Sequence, residues 1–109
     1  MKTEGENCLG PCPVEKVADL IGDCTSMLII RDLLTGPKRF GEITMSSGGA
    51  STRTVTAKLK HLEACGIVLR QSFCEKPPRV EYSLTEKGKG LKAVIDSMRT
   101  FAERHLAEV

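Results

Sequence analysis

The chain has 109 residues, 40% of them apolar and 28% charged, with a formal net charge of +2 at neutral pH. That size suits one domain with a modest core, and no apolar run approaches the length needed to cross a bilayer as a helix. The segment MKTEGENCLGPCP lacks a hydrophobic signal core, so the expected location is cytoplasmic.

In chain order, residues 1–11 are polar and glycine-containing and read as a flexible arm. Pro13 suits the first turn of a helix, where its missing N–H costs nothing. Val14, Val17, Ala18 and Ile21 then form a helical stripe that ends near Gly22. A second helix is expected from about Thr25 to Leu34. Met27, Leu28, Ile29 and Ile30 make it apolar most of the way round, as for a central buried helix. Gly36-Pro37 stops it. A short third helix is expected over Arg39–Met45, with Phe40 and Ile43 inward. The stretch SSGGA, residues 46–50, is a turn, and Ser51 is a suitable N-cap for a fourth helix ended by Gly66. Ile67–Phe73 and Val80–Leu84 read as two strands joined by the basic turn Lys76-Pro77-Pro78-Arg79. A last helix starts at Thr85, Glu86 and Lys87. It carries Leu91, Val94, Ile95, Met98, Phe101, Ala102 and His105 at three- and four-residue steps. That stripe is too long for a compact monomer to cover, and exposed apolar stripes mark interfaces.

The fourth helix is the most informative element. Val55, Leu59 and Leu62 define its buried face. Arg53, Ala57, Lys60 and Ala64 share the opposite face, flanked by Thr56 and His61, with no acidic residue among them. A small, basic helix face fits the major groove of B-DNA, where Arg reads guanine edges. It does not fit the deep, narrow groove of A-form RNA. A short helix and a glycine turn before it, and a two-stranded wing after it, make a winged helix-turn-helix: mainly α with a small β-wing, one domain over 12–109. The helix over about 86–106 would serve dimerisation. Arg53, Lys58, Lys60, Arg70, Lys76 and Arg79 concentrate positive charge in this half. Expected DNA contacts are Arg39, Ser51, Thr52, Arg53, Thr56, Lys60, Lys76 and Arg79. Arg53 is expected to touch bases, and Lys60, Lys76 and Arg79 mainly phosphates.

Five cysteines, an odd number, argue against a complete intrachain disulfide framework. Cys12 precedes Pro13 at a helix start, where orphan N–H groups favour anions, and Cys8 lies four residues before it. An exposed cysteine of this kind suits a redox sensor, with Cys8 a candidate partner. Cys65 and Cys74 read as structural, with resolution of a disulfide across a dimer as the alternative for either. Zinc needs four ligands, and His61, Cys65, Cys74 and His105 are scattered along the chain, so no metal and no cofactor are expected. No glycine-rich phosphate loop, G-x-S-x-G or H-E-x-x-H motif is present, so no enzyme is expected. The competing reading is a thiol- or metal-binding interaction module whose winged helix contacts protein rather than DNA.

Several segments carry a family resemblance: Cys12-Pro13-Val14-Glu15, Asp19-Leu20-Ile21-Gly22, Leu28–Leu33, Gly36–Phe40, Leu59–Gly66, Pro77–Thr85 (PPRVEYSLT) and Glu86-Lys87-Gly88. Together they resemble the HxlR-type family of bacterial and archaeal transcription regulators, over about residues 12–105. The resemblance implies a winged-helix homodimer on double-stranded operator DNA, with the arm and terminal helices building the dimer. It also implies an electrophile, oxidant or small-molecule effector, sensed in some members at the cysteine matching Cys12. One departure stands out. Cys24-Thr25 occupies the place of a Lys-Trp pair, which removes a large aromatic and adds a thiol.

Overall fold

The computed structural model describes residues 12–106; the expected arm, with Cys8, lies outside the described residues. Helix α1 spans Pro13–Ile21 and α2 Cys24–Leu33, followed by strand β1 (Lys38–Arg39) and α3 (Phe40–Met45). Then come α4 (Thr52–Ala64), β2 (Val68–Phe73), β3 (Arg79–Leu84), α5 (Glu86–Lys89) and α6 (Lys92–His105). This is a winged helix, mainly α with a small antiparallel sheet.

The core forms where α2, α3 and α4 meet the sheet. Ile29, Ile30 and Leu33 of α2 pack with Ile43 of α3, with Val55, Leu59 and Leu62 of α4, and with Ile67, Val68 and Leu84. Fully burying such a side chain contributes about 1.5–3 kcal/mol, so this cluster sets how α4 sits on the domain. Leu91 and Ile95 reach it from the C-terminal side. Beyond them α6 leaves the core, and the molecule measures 52 × 37 × 26 Å.

Two expectations need correction. The sheet has three strands, ordered β1-β3-β2, rather than two. Lys38 pairs with Tyr82 and Arg39 with Glu81, so Arg39 belongs to a strand and precedes the first turn of α3. Two residues are too few to produce an alternating pattern, and β1 was therefore invisible to periodicity. The last helix is also two helices. Gly88 and Gly90 weaken helix propensity in its first turns. The chain turns there, with Gly90 N–H donating to the Lys87 carbonyl and Leu91 N–H to that of Gly88.

The end of α4 is closed by a complete Schellman motif. Ile67 N–H donates to the Leu62 carbonyl at 2.9 Å and Gly66 N–H to that of Glu63 at 3.1 Å. Gly66 sits at φ +78°, where a side chain costs about 1–2 kcal/mol. Leu62 and Ile67, the pair that packs across this motif, are both fully buried. The Thr85 hydroxyl donates to the Gly66 carbonyl at 2.6 Å and accepts from Gly88 N–H at 3.0 Å, N-capping α5. Gly88 lies so close that a Cβ there would stand 2.3 Å from the Ile67 carbonyl oxygen.

Gly66→Ala should therefore lower stability by about 1–2 kcal/mol. Gly41→Ala should leave stability unchanged or slightly raise it, since Gly41 is helical and a Cβ there meets nothing within 4 Å. Urea unfolding of the two variants checks this, and equal midpoints would contradict the role given to Gly66.

Candidate nucleic-acid interface

Helix α4 begins with Ser51, whose hydroxyl accepts from Thr54 N–H at 3.1 Å. Its inner stripe, Val55, Leu59 and Leu62, is buried to 2% exposure or less. Opposite it Arg53, Thr56, Ala57 and Lys60 are all exposed, as are Ser51 and Thr52 at its start. The structure thus brings five of the expected contacts, Ser51, Thr52, Arg53, Thr56 and Lys60, onto one open helix. Glu63 corrects the picture of an acid-free helix surface. It is exposed, and at 100° per residue it lies about 20° around the helix from Thr56. The open surface is therefore free of acid from the start of α4 up to Lys60.

The turn before α4 is held from behind by residues that periodicity did not single out. The Ser46 hydroxyl donates to Asp32 at 2.8 Å, and the Arg31 guanidinium donates to the Ser46 carbonyl at 3.3 Å. These bonds tie the α3–α4 turn to α2. Arg39 is exposed at the entrance to α3, and its N–H donates to the Glu42 carboxylate at 2.8 Å. This leaves its guanidinium on the surface of the same helix-turn-helix.

The basic residues divide into two groups. Lys60 and Lys76 are exposed, Lys76 in the turn between β2 and β3. Lys58 is turned back, with its ammonium 3.5 Å from the Asp23 carboxylate. Arg79 is held within the wing. Its guanidinium contacts Glu75 at 2.9 Å and Glu81 at 3.4 Å, and it stacks 4.2 Å from the Phe73 ring centre, Phe73 being its cross-strand partner. Two carboxylates beside it offset its charge, so Arg79 stiffens the wing and Lys76 is the freer cation of the turn.

Asp23 N-caps α2, accepting from Ser26 N–H at 3.0 Å. Partial burial pushes its pKa up, but hydrogen bonding from Ser26 and the Lys58 ammonium outweigh this and hold it below its ordinary value.

Two apolar helix faces stay open. On α1, Pro13, Val14, Val17, Ala18 and Ile21 line a shallow depression of about 460 Å³, and Val14 is 75% exposed. On α6, Met98 and Phe101 are exposed, Phe101 by 58%, with the His105 ring 4.8 Å from that of Phe101. Cys12 is exposed at the N-cap of α1, with its carbonyl accepting from Lys16 N–H. Cys24 and Cys74 are also exposed. Among the described residues no group of three or more His, Cys, Asp or Glu side chains could hold a metal ion. No helix there is long and apolar enough to cross a membrane.

Comparison with known proteins places this geometry. The family model described as HxlR-like helix-turn-helix matches residues 20–109. The HTH-type transcriptional regulator YodB of Bacillus subtilis is 43% identical over 94 residues, covering 85% of this chain and 84% of that protein. The HTH-type regulator sll1512 of Synechocystis sp. is 41% identical over 87 residues, or 80% of this chain; the match spans 64% of its own length. Among solved structures, the reduced form of YodB superposes with a TM-score of 0.77 at 42% identity, covering 86% of this chain and 93% of that one. The redox regulator HypR in its oxidised form gives 0.80 at 37% identity, covering 86% and 97%.

The Asp23 cap yields a pH prediction. Its folded pKa lies below the unfolded value of about 3.9, so its contribution is fully present above that value and is lost as pH falls through the lower, folded one. Asp23→Ala should cost about 1 kcal/mol at pH 7. The gap to wild type should close as denaturation is repeated at falling pH. A gap that stays constant down to pH 2.5 would show that the carboxylate's charge is not involved.

Proposed function

Since this chain belongs to the HxlR-like helix-turn-helix family of transcriptional regulators, we propose that it binds operator DNA as a homodimer and that oxidation of Cys12 alters that binding. The observation that carries the reading is the open first half of α4. It is small and basic, capped by Ser51 and set on a rigid helix-turn-helix beside a wing. Arg53, in the first turn, is the residue placed to reach base edges. Thr56 and Ala57 permit close approach. Ser51, Thr52, Lys60 and Arg39 serve the phosphates of the same groove. Lys76 serves the backbone beside it. Arg79 acts by holding the wing's shape, with only a minor share of phosphate contact.

Homodimerisation is supported by the open faces of α1 and α6, which together expose Val14, Val17, Met98 and Phe101. A twofold pair would set two recognition helices about 34 Å apart, one turn of DNA. The exposed thiol of Cys12 lies at the N-cap of α1, at the end of a helix that carries one of these faces. Its oxidation, to a disulfide across subunits or with Cys8, would constrain the pairing and so change affinity. YodB, a transcriptional regulator, and HypR, a redox regulator, have solved forms that include reduced, oxidised and diamide-treated states; they support a thiol-responsive regulator, and the regulator's role favours DNA over the thiol- or metal-binding interaction module.

Operator binding is tested by mobility shift at several salt concentrations. Arg53→Ala should cost about 1–3 kcal/mol on the operator and relax specificity. Lys76→Ala should weaken all sequences alike and flatten the salt dependence. Equal losses on operator and random DNA for Arg53→Ala would reduce it to a phosphate contact. The absence of any DNA shift for wild type would favour the protein-binding reading. Met98→Asp with Phe101→Asp should give monomers in sedimentation that bind DNA weakly. Diamide should shift the affinity of wild type, reversibly with dithiothreitol, and leave Cys12→Ser unaffected. An equal response in both would transfer the sensing role to another thiol.

A further inference from the structure

A cleft of about 530 Å³ opens between the end of α2, the Gly36-Pro37 turn, the end of β3 and the bend from α5 into α6. No residue of α4 and no cysteine lines it. Leu33 and Leu84, both buried, form its floor, and Leu34 and Pro37 extend the apolar wall. Its polar side chains are Thr35, Ser83, Lys89 and Lys92, so the lining carries two ammonium groups and no carboxylate. Small-molecule sites have this make-up: a concave, mostly apolar surface of about 300–1,000 Å³ with a few converging polar groups. Beyond Lys92 the cleft continues for about 410 Å³, and there Asp32 and Asp96 stand among the lining residues. The end bounded by Lys89 is therefore the positive one.

Both lysines keep donors beyond their ion pairs. Lys89 Nζ is 3.3 Å from Glu86 and Lys92 Nζ 2.7 Å from Asp96, one carboxylate each, and the two side chains remain 61% and 69% exposed. Exposed pairs of this kind on a helix are weak. An ammonium has three N–H donors, so it can hold a neighbouring carboxylate and a ligand oxygen together. Arg79 differs, being less exposed and held by two carboxylates. We propose that this cleft binds a small amphiphilic carboxylate. Its apolar body covers Leu33 and Leu84, its carboxylate sits between Lys89 and Lys92, and the Ser83 hydroxyl supplies a further donor. The cleft joins the end of α2 to the root of α6, so an occupant bridges the core and the helix that leaves it. At about 100° per residue, Lys92 lies about 180° around α6 from Phe101 and about 120° from Met98, clear of the open apolar face. The site uses neither Cys12 nor the α4 surface, and it stands whether or not thiol oxidation governs DNA binding.

The test titrates 2-naphthoate into the full chain and follows naphthyl fluorescence together with amide signals. The chain has no tryptophan, so the fluorescence belongs to the probe. One equivalent per chain is expected, with a dissociation constant below about 1 mM. The largest shifts should fall at Thr35, Gly36, Ser83, Leu84 and Lys89. The neutral isostere 2-naphthamide should bind about tenfold more weakly or worse, since hydrogen bonds to an ionised group are the stronger kind. Lys89→Met with Lys92→Met should weaken 2-naphthoate by about tenfold or more and leave 2-naphthamide unchanged. Both positions are exposed, and circular dichroism checks that the double variant is folded. Equal affinities for the acid and the amide, an unchanged affinity in the double variant, or shifts confined to Val14, Val17, Met98 and Phe101 would each overturn the site. So would a dissociation constant above about 1 mM.

Discussion

The hydroxyl of Thr85 and the carbonyls of Gly66 and Ile67 are the junction on which the rest of the structure depends. Four segments meet there: the end of α4, the start of β2, the end of β3 and the start of α5. Thr85 Oγ1 donates to Gly66 while Thr85 N–H donates to Ile67, and the same hydroxyl caps α5. Lys87 adds a bond to the Cys65 carbonyl. Because α4, the wing and the lead into α6 share this junction, their relative directions are set together. In the proposed binding mode, a helix entering a groove while its wing reaches the backbone needs that fixed relation more than it needs extra contacts.

Charge placement follows from the same economy. Cations close to carboxylates are structural: Lys58 with Asp23 joins α4 to the start of α2, and Arg79 between Glu75 and Glu81 stiffens the wing. Surface pairs of this kind contribute about 1 kcal/mol or less to stability. They nevertheless decide which cations stay available to a polyanion. That sorting leaves Arg53, Lys60, Lys76 and Arg39 facing solvent, a local positive surface on a chain whose net charge is only +2.

Much of this was legible in the sequence, and the exceptions have physical causes. The buried stripe of α4 and the stops at Gly22 and Gly66 follow from helix periodicity and backbone freedom, which are local properties. Strand β1 depends on pairing with Tyr82 and Glu81, more than forty residues away, so no local pattern could reveal it. The break before α6 was missed because the apolar stripe begins only at Leu91, after it, so periodicity was silent there, although Gly88 and Gly90 were a usable signal. The capture of Arg79 by Glu75 and Glu81 could also have been anticipated from its neighbours, yet its stacking on Phe73 needed the strand register.

The central claim is that the first half of α4 faces base edges while the turn of the wing meets the backbone. It is tested most directly by following amide signals of the isotope-labelled chain as operator DNA is added. The account predicts the largest shifts at Arg53, Thr56, Ala57 and Lys60, with smaller ones at Arg39 and Lys76. A random duplex should retain the Lys76 shift and lose most of that at Arg53. Shifts confined to α1 and α6, with α4 unmoved, would contradict the account and make the winged helix a scaffold for something other than DNA.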